Sequence, residues 1–339
     1  MSTEDHVRTT VMFPNQDFLV MHECTAPGVD IVHWTKTHRT ALEQELLEHG
    51  AILLRNFATD RAVFACVADQ ISPRCIDYRG GNAPRTALAD NIFTSSELPP
   101  PITLVQHHEM MFSQCWPMKL LFFCELPAQT GGETPLCSAR HTTRAIAPTI
   151  LHDFDAHGGI MYIRNFRPDI PFKTLEDTFG TSDRAAIEML CRADSMDFEW
   201  KGPSWLQTRQ IRPAFRVHPV TGDRVFVATP HLWHRAGWTR QLVRFGPQYS
   251  PEHLPADSTT LWMHALYGDG TPIDDCIIHE LYDFYEREKV ALPWQRGDIL
   301  ILDNIMVSHG RNPFTGPRCV LAALREPFHA ETGFLAEVA

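Results

Sequence analysis

Two histidines and one glutamate of this chain could hold a metal ion. His107 and Glu109 are separated by one residue, in the segment QHHEM. Alternate side chains of an extended strand share a face, so these two would point the same way and His108 the other way. A third nitrogen donor is His309, in the distant segment LDNIMVSHGRNPF. Two imidazoles and one carboxylate on one face of an octahedron are the ligands of non-haem iron(II) oxygenases.

The spacing alone is not specific to that chemistry. The chain has 18 histidines, so pairs of the form His-x-Glu arise by chance. The same three donors could hold zinc in a hydrolase or serve a metal-dependent isomerase. A non-enzymatic β-sandwich binding module with incidental histidines is a further alternative, and the residues alone leave these hypotheses open.

A possible anion site follows the last of the three candidates. Arg318 stands just beyond the turn NPFTGP and at the head of the apolar run CVLAAL. A guanidinium at the start of a buried strand needs a partner, since an unpaired buried charge is costly. A dicarboxylate cosubstrate is one such partner, because the planar fork of arginine matches a carboxylate. A protein carboxylate, or exposure to solvent, is the alternative.

The segments that must position these residues are mostly short apolar runs between Pro and Gly turns. They lie at 120–126, 224–229, 298–303 and 319–324. This pattern favours a mainly β fold, a sandwich or jelly roll, over a parallel α/β sheet. Residues 36–50 predict a helix that stops at Gly50, with a strand in the following AILLRNF. The polar residues between Gly80 and Pro101 predict a loop that leads to the site.

Two longer segments have a different character. Helix-like stretches occur at 182–193 and at 277–288. They predict helical insertions, at about 141–216 and about 235–290, that cover one face of the β core as a lid. Residues 1–339 are predicted to form a single domain with a core over about 35–330, because elaborated barrels and sandwiches often reach this size.

The composition excludes several classes of protein. Apolar residues make up 44% and charged residues 21%, as in a folded globular protein. The net charge of -11 and the lack of a Lys/Arg run disfavour nucleic acid as a partner. An acidic N-terminus and the absence of a long apolar stretch predict a soluble, cytoplasmic protein without a membrane segment. The nine cysteines include no C-x-x-C pair, which indicates reduced thiols.

Two long motifs resemble those of a known family. Residues 107–140, which begin HHEMMF and end GGETPLCSAR, and residues 297–324, GDILILDNIMVSHGRNPFTGPRCVLAAL, are similar to the two site segments of the taurine dioxygenase-like (TauD/TfdA) family. GAILLRNF, TSSELPP and RPAFRVHPVTG resemble weaker family blocks, so the resemblance covers about residues 35–330. The branch it resembles most is the clavaminate synthase-like, antibiotic-tailoring one.

The resemblance implies a fold, cofactors and a set of site residues. The fold would be a double-stranded β-helix, or jelly roll, with a helical lid. His107, Glu109 and His309 would bind iron(II), Arg318 would bind the distal carboxylate of 2-oxoglutarate, and Thr134 would add a hydroxyl hydrogen bond. With dioxygen, decarboxylation of 2-oxoglutarate would yield succinate and an oxidant for a C–H bond. Hydroxylation is the expected outcome, and desaturation or cyclisation would use the same ligands.

Departures from the family pattern bear on the substrate. His108 and Leu98 replace the usual Asn and Tyr of this branch. Some relatives hold a substrate anion with a second arginine four residues after the cosubstrate arginine, and that position is Ala322 here. Arg325, at an odd offset from Arg318, should face the other side of the strand. A sulfonate substrate is therefore disfavoured.

The form of the first motif predicts a small-molecule substrate of a particular class. It resembles amino-acid and antibiotic-tailoring oxygenases, so we expect an amino acid or a derivative, free or bound to a carrier protein, in secondary-metabolite biosynthesis. Its carboxylate needs a cationic partner, for which Arg209 and Arg212 are candidates, although both could simply face solvent. Its ammonium group needs an anionic partner, for which Asp90 and Glu97 are candidates.

Overall fold

The fold is described by a computed structural model that covers residues 6–76, 85–88, 91–170, 174–243 and 251–334. The strands of this part of the chain, in order, are β1 (Val7–Phe13), β2 (Phe18–Cys24), β3 (Ala51–Arg55), β4 (Ile92–Thr94), β5 (Leu104–His107), β6 (Cys115–Leu126), β7 (Thr130–Gly131), β8 (Leu136–Ser138), β9 (Ile160–Phe166), β10 (Asp197–Gly202), β11 (Trp205–Arg212), β12 (Phe215–Val217), β13 (Arg224–Phe226), β14 (Met263–Tyr267), β15 (Ile299–Asp303), β16 (Val307–Arg311), β17 (Phe314–Thr315), β18 (Cys319–His329) and β19 (Gly333–Phe334).

Helices lie between these strands, with three before β4 and seven between β8 and β15. They are α1 (Ile31–Thr37), α2 (Arg39–His49), α3 (Arg61–Ile71), α4 (Ala139–Ala145), α5 (Pro148–Ala156), α6 (Leu175–Phe179), α7 (Arg184–Ala193), α8 (Pro230–Trp233), α9 (Arg235–Leu242) and α10 (Asp275–Glu288).

The largest sheet forms the framework of the molecule. Its strand order is β1-β2-β3-β15-β6-β18-β19, and β4 also pairs with β18. All five residues of β15 are buried, because neighbouring strands flank it and packed side chains cover both faces. Successive residues of β6 alternate between two cores: Leu120 and Phe122 belong to one, Leu121 and Phe123 to the other.

A smaller sheet, β5-β16-β8, lies across the first of these cores. Leu136 of β8 and Val307 of β16 pack in the same cluster as Leu120 and Phe122 of the large sheet. Two facing sheets with helical additions are the jelly-roll architecture that the sequence predicted, and that fold class is confirmed. Within the described residues the sheets do not close into a continuous barrel.

Helices α1 to α3 cover the outer face of the large sheet. Trp34, Leu46 and Phe64 pack there in the second core. The helix predicted over 36–50 is the end of α1 plus the whole of α2, and it stops at Gly50 as predicted. Gly50 has a left-handed φ of 74°, which glycine adopts without steric cost. Strand β3 follows directly, as the apolar run AILLR indicated.

The cover over the site differs from the prediction. The expected helices exist as α7 and α10, but the segments 141–216 and 235–290 also contain a four-stranded antiparallel sheet of order β10-β11-β9-β14. The predicted helices are present, and the additional sheet was not predicted, because β11 buries polar side chains. Gln207, Gln210 and Arg212 all lie inside, so no apolar alternation marks the strand.

Three smaller observations complete the fold. The run predicted as a strand over 224–229 is a strand only over β13, and the loop predicted between Gly80 and Pro101 contains the short strand β4. All nine cysteines are free thiols. No helix among the described residues is long and apolar enough to cross a membrane.

Candidate active site

Three side chains bring potential metal donors together beside the small sheet. His107 ends β5, Glu109 lies in the turn that follows, and His309 lies in β16. One donor atom from each lies within 4.8 Å of the other two. His309 Nε2 is 3.9 Å from Glu109 Oε2, and both residues are buried. The structure thus brings together the three residues that the sequence singled out.

Strand register places the two histidines side by side. His107 and His309 are direct partners in the antiparallel pairing of β5 with β16, and their ring centroids are 4.4 Å apart. The next residue, Gly310, allows the strands to approach this closely. A Cβ atom at position 310 would lie 2.4 Å from the carbonyl oxygen of Leu104, so a larger residue would push β16 away from β5.

Asn304 fixes the backbone of Glu109 with two hydrogen bonds. Its Oδ1 accepts from the backbone N–H of Glu109 at 2.8 Å, and its Nδ2 donates to the carbonyl of Glu109 at 2.9 Å. His108 bonds to the carbonyl of Asn304 at 2.7 Å and lies outside the metal-donor cluster. The residue after the glutamate, Met110, has a φ of 58°, a costly backbone conformation often found at functional sites. The sequence did not predict these two hydrogen bonds from Asn304 to Glu109, although Asn304 stands in the Asp-Asn turn noted before His309.

The imidazoles are held in the form that binds a cation. The backbone carbonyl of Val105 accepts a hydrogen bond from His107 Nδ1 at 2.9 Å, which leaves the Nε2 lone pair available. Burial lowers the pKa of His107 and holds the pKa of His309 well below its usual value. Two neutral imidazoles and a carboxylate are a set that a divalent first-row metal accepts. The residues present therefore fit iron(II).

An arginine that the sequence analysis missed lies against the same carboxylate. Arg85 donates from its terminal nitrogen to Glu109 Oε2 at 2.5 Å, and the two side chains are only 3% and 4% exposed. The positive charge of Arg85 also contributes to the lowered pKa of both His107 and His309. No motif marked Arg85, because only the tertiary fold brings it to the cluster.

Arg318 and Thr134 lie near the start of β18 and just before β8, respectively. Arg318 donates to the carbonyl of Gly132 at 2.9 Å and, over 3.4 Å, to the hydroxyl of Ser95. Burial, followed by the charge of Arg311, lowers the pKa of Arg318 to about 10, so it stays protonated at neutral pH. Among the described residues, no carboxylate forms an ion pair with it.

A cavity lies between the turn of residues 109–112, here called the metal turn, and the cover formed by the segments 141–216 and 235–290. Its volume is about 300 Å³, and its walls are largely apolar. Met110 and Phe112 line it on the side of the metal turn, and Arg164 and Gln210 line it on the side of the cover. Arg164 lies over the ring of Phe112, with 5.0 Å to the centroid. Met110, the residue after Glu109, thus borders the cavity, whereas the three donor residues are not among the residues that line it.

The two arginines proposed for the substrate carboxylate have other contacts. Arg212 is buried and donates to the carbonyls of Phe112 at 2.8 Å and Asp194 at 2.6 Å. Arg209 is exposed and donates to Gln207 Oε1 at 2.6 Å. Arg212 therefore ties the cover to the metal turn, and Arg209 lies on the outer face of β11. Their role in substrate binding stays a prediction.

Of the proposed ammonium partners, Glu97 is described and Asp90 lies outside the described residues. Glu97 is exposed and accepts hydrogen bonds from the hydroxyls of Thr86 at 2.6 Å and Thr94 at 2.8 Å. These bonds lower its pKa. Glu97 thus stabilises the segment that carries Arg85, and its contact with the substrate stays a prediction.

The faces of β18 agree with the predicted offsets. Ala322 is paired with Phe122, whose ring lies 5.2 Å from that of His309, and both pack in the core beside the site. Arg325 is fully buried on the other face, where it donates to Asp69 at 3.2 Å. Its predicted orientation away from Ala322 is confirmed.

Comparisons with known proteins agree with this geometry. The sequence model of the family described as "Taurine catabolism dioxygenase TauD, TfdA family" matches residues 17–324. The chain is 32% identical to the dapdiamide synthesis protein DdaC of Enterobacter agglomerans over 294 residues, 85% of each chain. It is 31% identical over 299 residues to a clavaminate synthase-like protein of Arabidopsis thaliana, again covering 85% of each.

Solved structures show the same fold. PvcB of Pseudomonas aeruginosa superposes with a TM-score of 0.55 at 15% sequence identity, covering 98% of this chain and 95% of that one. PvcB is described as an Fe, alpha-ketoglutarate-dependent oxygenase from an isonitrile synthetic pathway. The protein AAD-2, in complex with Mn(II) and N-oxalylglycine, has a TM-score of 0.51 at 12% identity, over 97% of this chain and 98% of that one.

Proposed function

The chain belongs to the TauD/TfdA family of Fe(II)- and 2-oxoglutarate-dependent oxygenases, and from this premise we propose that it hydroxylates an amino acid or amino-acid derivative in secondary-metabolite biosynthesis. The observation that carries this proposal is the buried cluster of His107, Glu109 and His309. The relation to DdaC, which is named for dapdiamide synthesis, supports a biosynthetic role. Family membership disfavours the alternatives of a hydrolase, an isomerase or a binding module.

In this proposal the three clustered residues bind the iron. His107 and His309 bind through neutral imidazole nitrogens, and Glu109 supplies the negative charge. Asn304 holds the backbone of Glu109, which keeps the carboxylate directed at the histidines. When bound, iron(II) with 2-oxoglutarate and dioxygen supplies the oxidant that replaces a C–H bond of the substrate by C–OH.

Arg318 and Thr134 bind 2-oxoglutarate in this proposal. Arg318 keeps donors free of any protein carboxylate within the described residues, and Thr134 is buried. A charged fork and a hydroxyl are suited to a carboxylate at the end of a short chain. The described contacts of Arg318, to Gly132 and Ser95, fix the direction of its guanidinium without neutralising it.

The cover excludes water and receives the substrate. Its arginine Arg212 bonds to Phe112 of the metal turn, so the cover is fixed over the site. The largely apolar cavity of about 300 Å³ that Met110 borders is at the lower end of the size range of ligand pockets. In this proposal the substrate occupies this cavity beside the metal turn, and enclosure by the cover protects a reactive oxidant and holds the target carbon in one orientation.

A panel assay tests the proposal. Purified protein with ferrous iron, ascorbate and 2-oxoglutarate is incubated with free and carrier-bound amino acids, and with sulfonates and aryloxy acids for comparison. We expect an amino acid to raise succinate release above the uncoupled rate and to gain one oxygen atom by mass spectrometry. Loss of two hydrogens from the amino acid would indicate desaturation or cyclisation. A better sulfonate or aryloxy substrate would contradict the proposed substrate class.

A further inference from the structure

Arg85 is an arginine built into the metal site. It donates to Glu109 at 2.5 Å, and its side chain is 3% exposed. The neighbouring residue anchors the segment: the backbone N–H of Thr86 donates to the hydroxyl of Thr94 at 2.8 Å, and its hydroxyl donates to Glu97 at 2.6 Å. Burial and anchoring fix the guanidinium beside the metal donors.

The same segment also reaches the proposed cosubstrate site. Thr94 belongs to β4, which pairs with β18, and Ser95 accepts a hydrogen bond from Arg318. Hydrogen bonds and strand pairing therefore connect the segment that carries Arg85 to the segment that carries Arg318. If Arg318 takes the distal carboxylate of the cosubstrate, Arg85 stands where a second anion would meet the metal donors.

A metal ion changes what Arg85 can bind. In the structure Arg85 forms an ion pair with the Glu109 carboxylate. Once that carboxylate also binds a divalent cation, its negative charge is shared, and its bond to the guanidinium weakens. A carboxylate arriving with the substrate then becomes the stronger partner, because a guanidinium can bind it through two parallel N–H donors.

We propose that Arg85 binds the carboxylate of the substrate, and that the substrate is therefore a free acid and is not joined to a carrier protein through that carboxylate. This inference rests on the proposed function, which leaves free and carrier-bound amino acids both possible. Arg85 is better placed for this role than the arginines of β11. Arg212 is bonded to backbone carbonyls, and Arg209 is exposed.

The 1-carboxylate of 2-oxoglutarate has the same chemistry as the carboxylate of a substrate, so the test must separate the two. The first arm titrates 2-oxoglutarate into anaerobic iron(II) protein and follows the visible band of the complex. We expect wild type and Arg85→Gln to agree within about two-fold, because the arginine holds no cosubstrate oxygen. A loss of about ten-fold or more in the variant would assign Arg85 to the cosubstrate and overturn the proposal.

The second arm titrates the panel of free acids, their carboxamides and their carrier thioesters into the anaerobic iron(II)–2-oxoglutarate protein. Binding is scored by the change in the same band, without turnover. For the free acid that binds wild type most tightly, we expect Arg85→Gln to weaken binding by roughly 10- to 100-fold and Arg85→Lys by less. The carboxamide should bind wild type about as weakly as the acid binds Arg85→Gln, and should lose little more in the variant.

The controls keep each outcome decisive. Arg39→Gln removes an arginine from a surface ion pair with Glu43 and should change neither titration. The comparison of acid with carboxamide uses wild-type protein, so it holds even if a variant folds poorly. The proposal is overturned if no free acid changes the band, or if carboxamide or thioester binds as well as the acid. Tight acid binding through Arg85 without hydroxylation would refute the proposed function but not this contact. Hydroxylation of a carrier thioester, with no binding of the free acid, would refute this contact but not the proposed function.

Discussion

Two arginines, Arg318 of the β core and Arg212 of the cover, are held in different ways. In the core, Arg318 makes two hydrogen bonds to neutral groups, and no carboxylate among the described residues pairs with it. In the cover, Arg212 donates to four backbone carbonyls, among them those of Phe112 and Asp194, and also lies 3.4 Å from the carboxylate of Asp194. The core arginine retains capacity for an incoming anion, whereas the cover arginine is used to fasten one layer to another.

The same contrast holds for the other polar residues. The core concentrates donors on one point, where His107, Glu109 and His309 converge. The cover distributes its polar side chains among internal bonds: Gln210, for example, donates to Asp194 at 2.9 Å. We infer that the residues of the core perform the chemistry and that the cover encloses the site.

Removal of a metal donor should have the largest effect. His309→Ala takes one of two imidazoles from the cluster, so we expect loss of 2-oxoglutarate turnover by about 1,000-fold or more and a lower iron content. Succinate release and metal analysis measure this. His33→Ala, at an exposed histidine of α1, is the matched control. Wild-type activity in His309→Ala would refute the assignment of the site.

Removal of the Arg212 side chain, which fastens the cover to the metal turn, should reduce the stability of the fold more than it reduces the rate of the reaction. Arg212→Ala leaves the carbonyls of Phe112 and Asp194 without their donor inside the protein, which we expect to lower the free energy of unfolding by about 3 kcal/mol. Denaturant unfolding measures this. Arg209→Ala, on the same strand but exposed, should change stability by less than about 0.5 kcal/mol. If Arg209→Ala instead raised the KM for an amino-acid substrate, the outer face of β11 would belong to the binding site.

The sequence predicted the core better than the cover for a physical reason. The one-residue spacing of His107 and Glu109 predicted two side chains on one face of an extended strand. The two donors do converge, although the strand ends at His107 and Glu109 lies in the following turn, where Asn304 holds its backbone. Strand pairing then supplies His309, which lies opposite His107.

In β11 no comparable pattern exists, because its buried glutamines and arginine find their hydrogen-bond partners on other segments, at Asn165, Asp194 and Phe112. Arg85 was not foreseen, since no local spacing shows which distant carboxylate a loop arginine will contact.

Substitution of the cosubstrate arginine should have an intermediate effect. Arg318→Ala removes a charge-assisted contact, so we expect 2-oxoglutarate to bind roughly 10- to 100-fold more weakly, whereas Thr134→Ala removes one neutral hydrogen bond worth about 1 kcal/mol. Titration of the visible band of the anaerobic iron(II) complex measures both. Thr134→Val keeps the shape of the side chain and should match Thr134→Ala. Equal affinity in wild type and Arg318→Ala would remove this role from the core arginine.

Acid should weaken the cover through a buried pair of histidines. His234 precedes α9 and His264 lies in β14, and their ring centroids are 4.3 Å apart. Burial lowers the pKa of His234 to about 4 and that of His264 to about 3. The charged and titratable neighbours are Arg235, His279, Asp257 and Asp275.

A histidine kept neutral in the folded state favours folding at high pH, since only the unfolded chain takes up its proton as the pH falls below about 6.5. Between pH 7 and pH 5.5, each of the two should therefore lose about 1 kcal/mol of its contribution to stability, and the loss should continue toward the folded-state values of about 4 and about 3. Denaturant unfolding at the two pH values measures this change. His264→Gln cannot titrate, so its stability should depend less steeply on pH than that of wild type, whatever its absolute stability. The exposed His33 has no such burial, and His33→Gln should keep the wild-type slope. An unchanged slope in His264→Gln would show that the acid sensitivity arises elsewhere than in the cover.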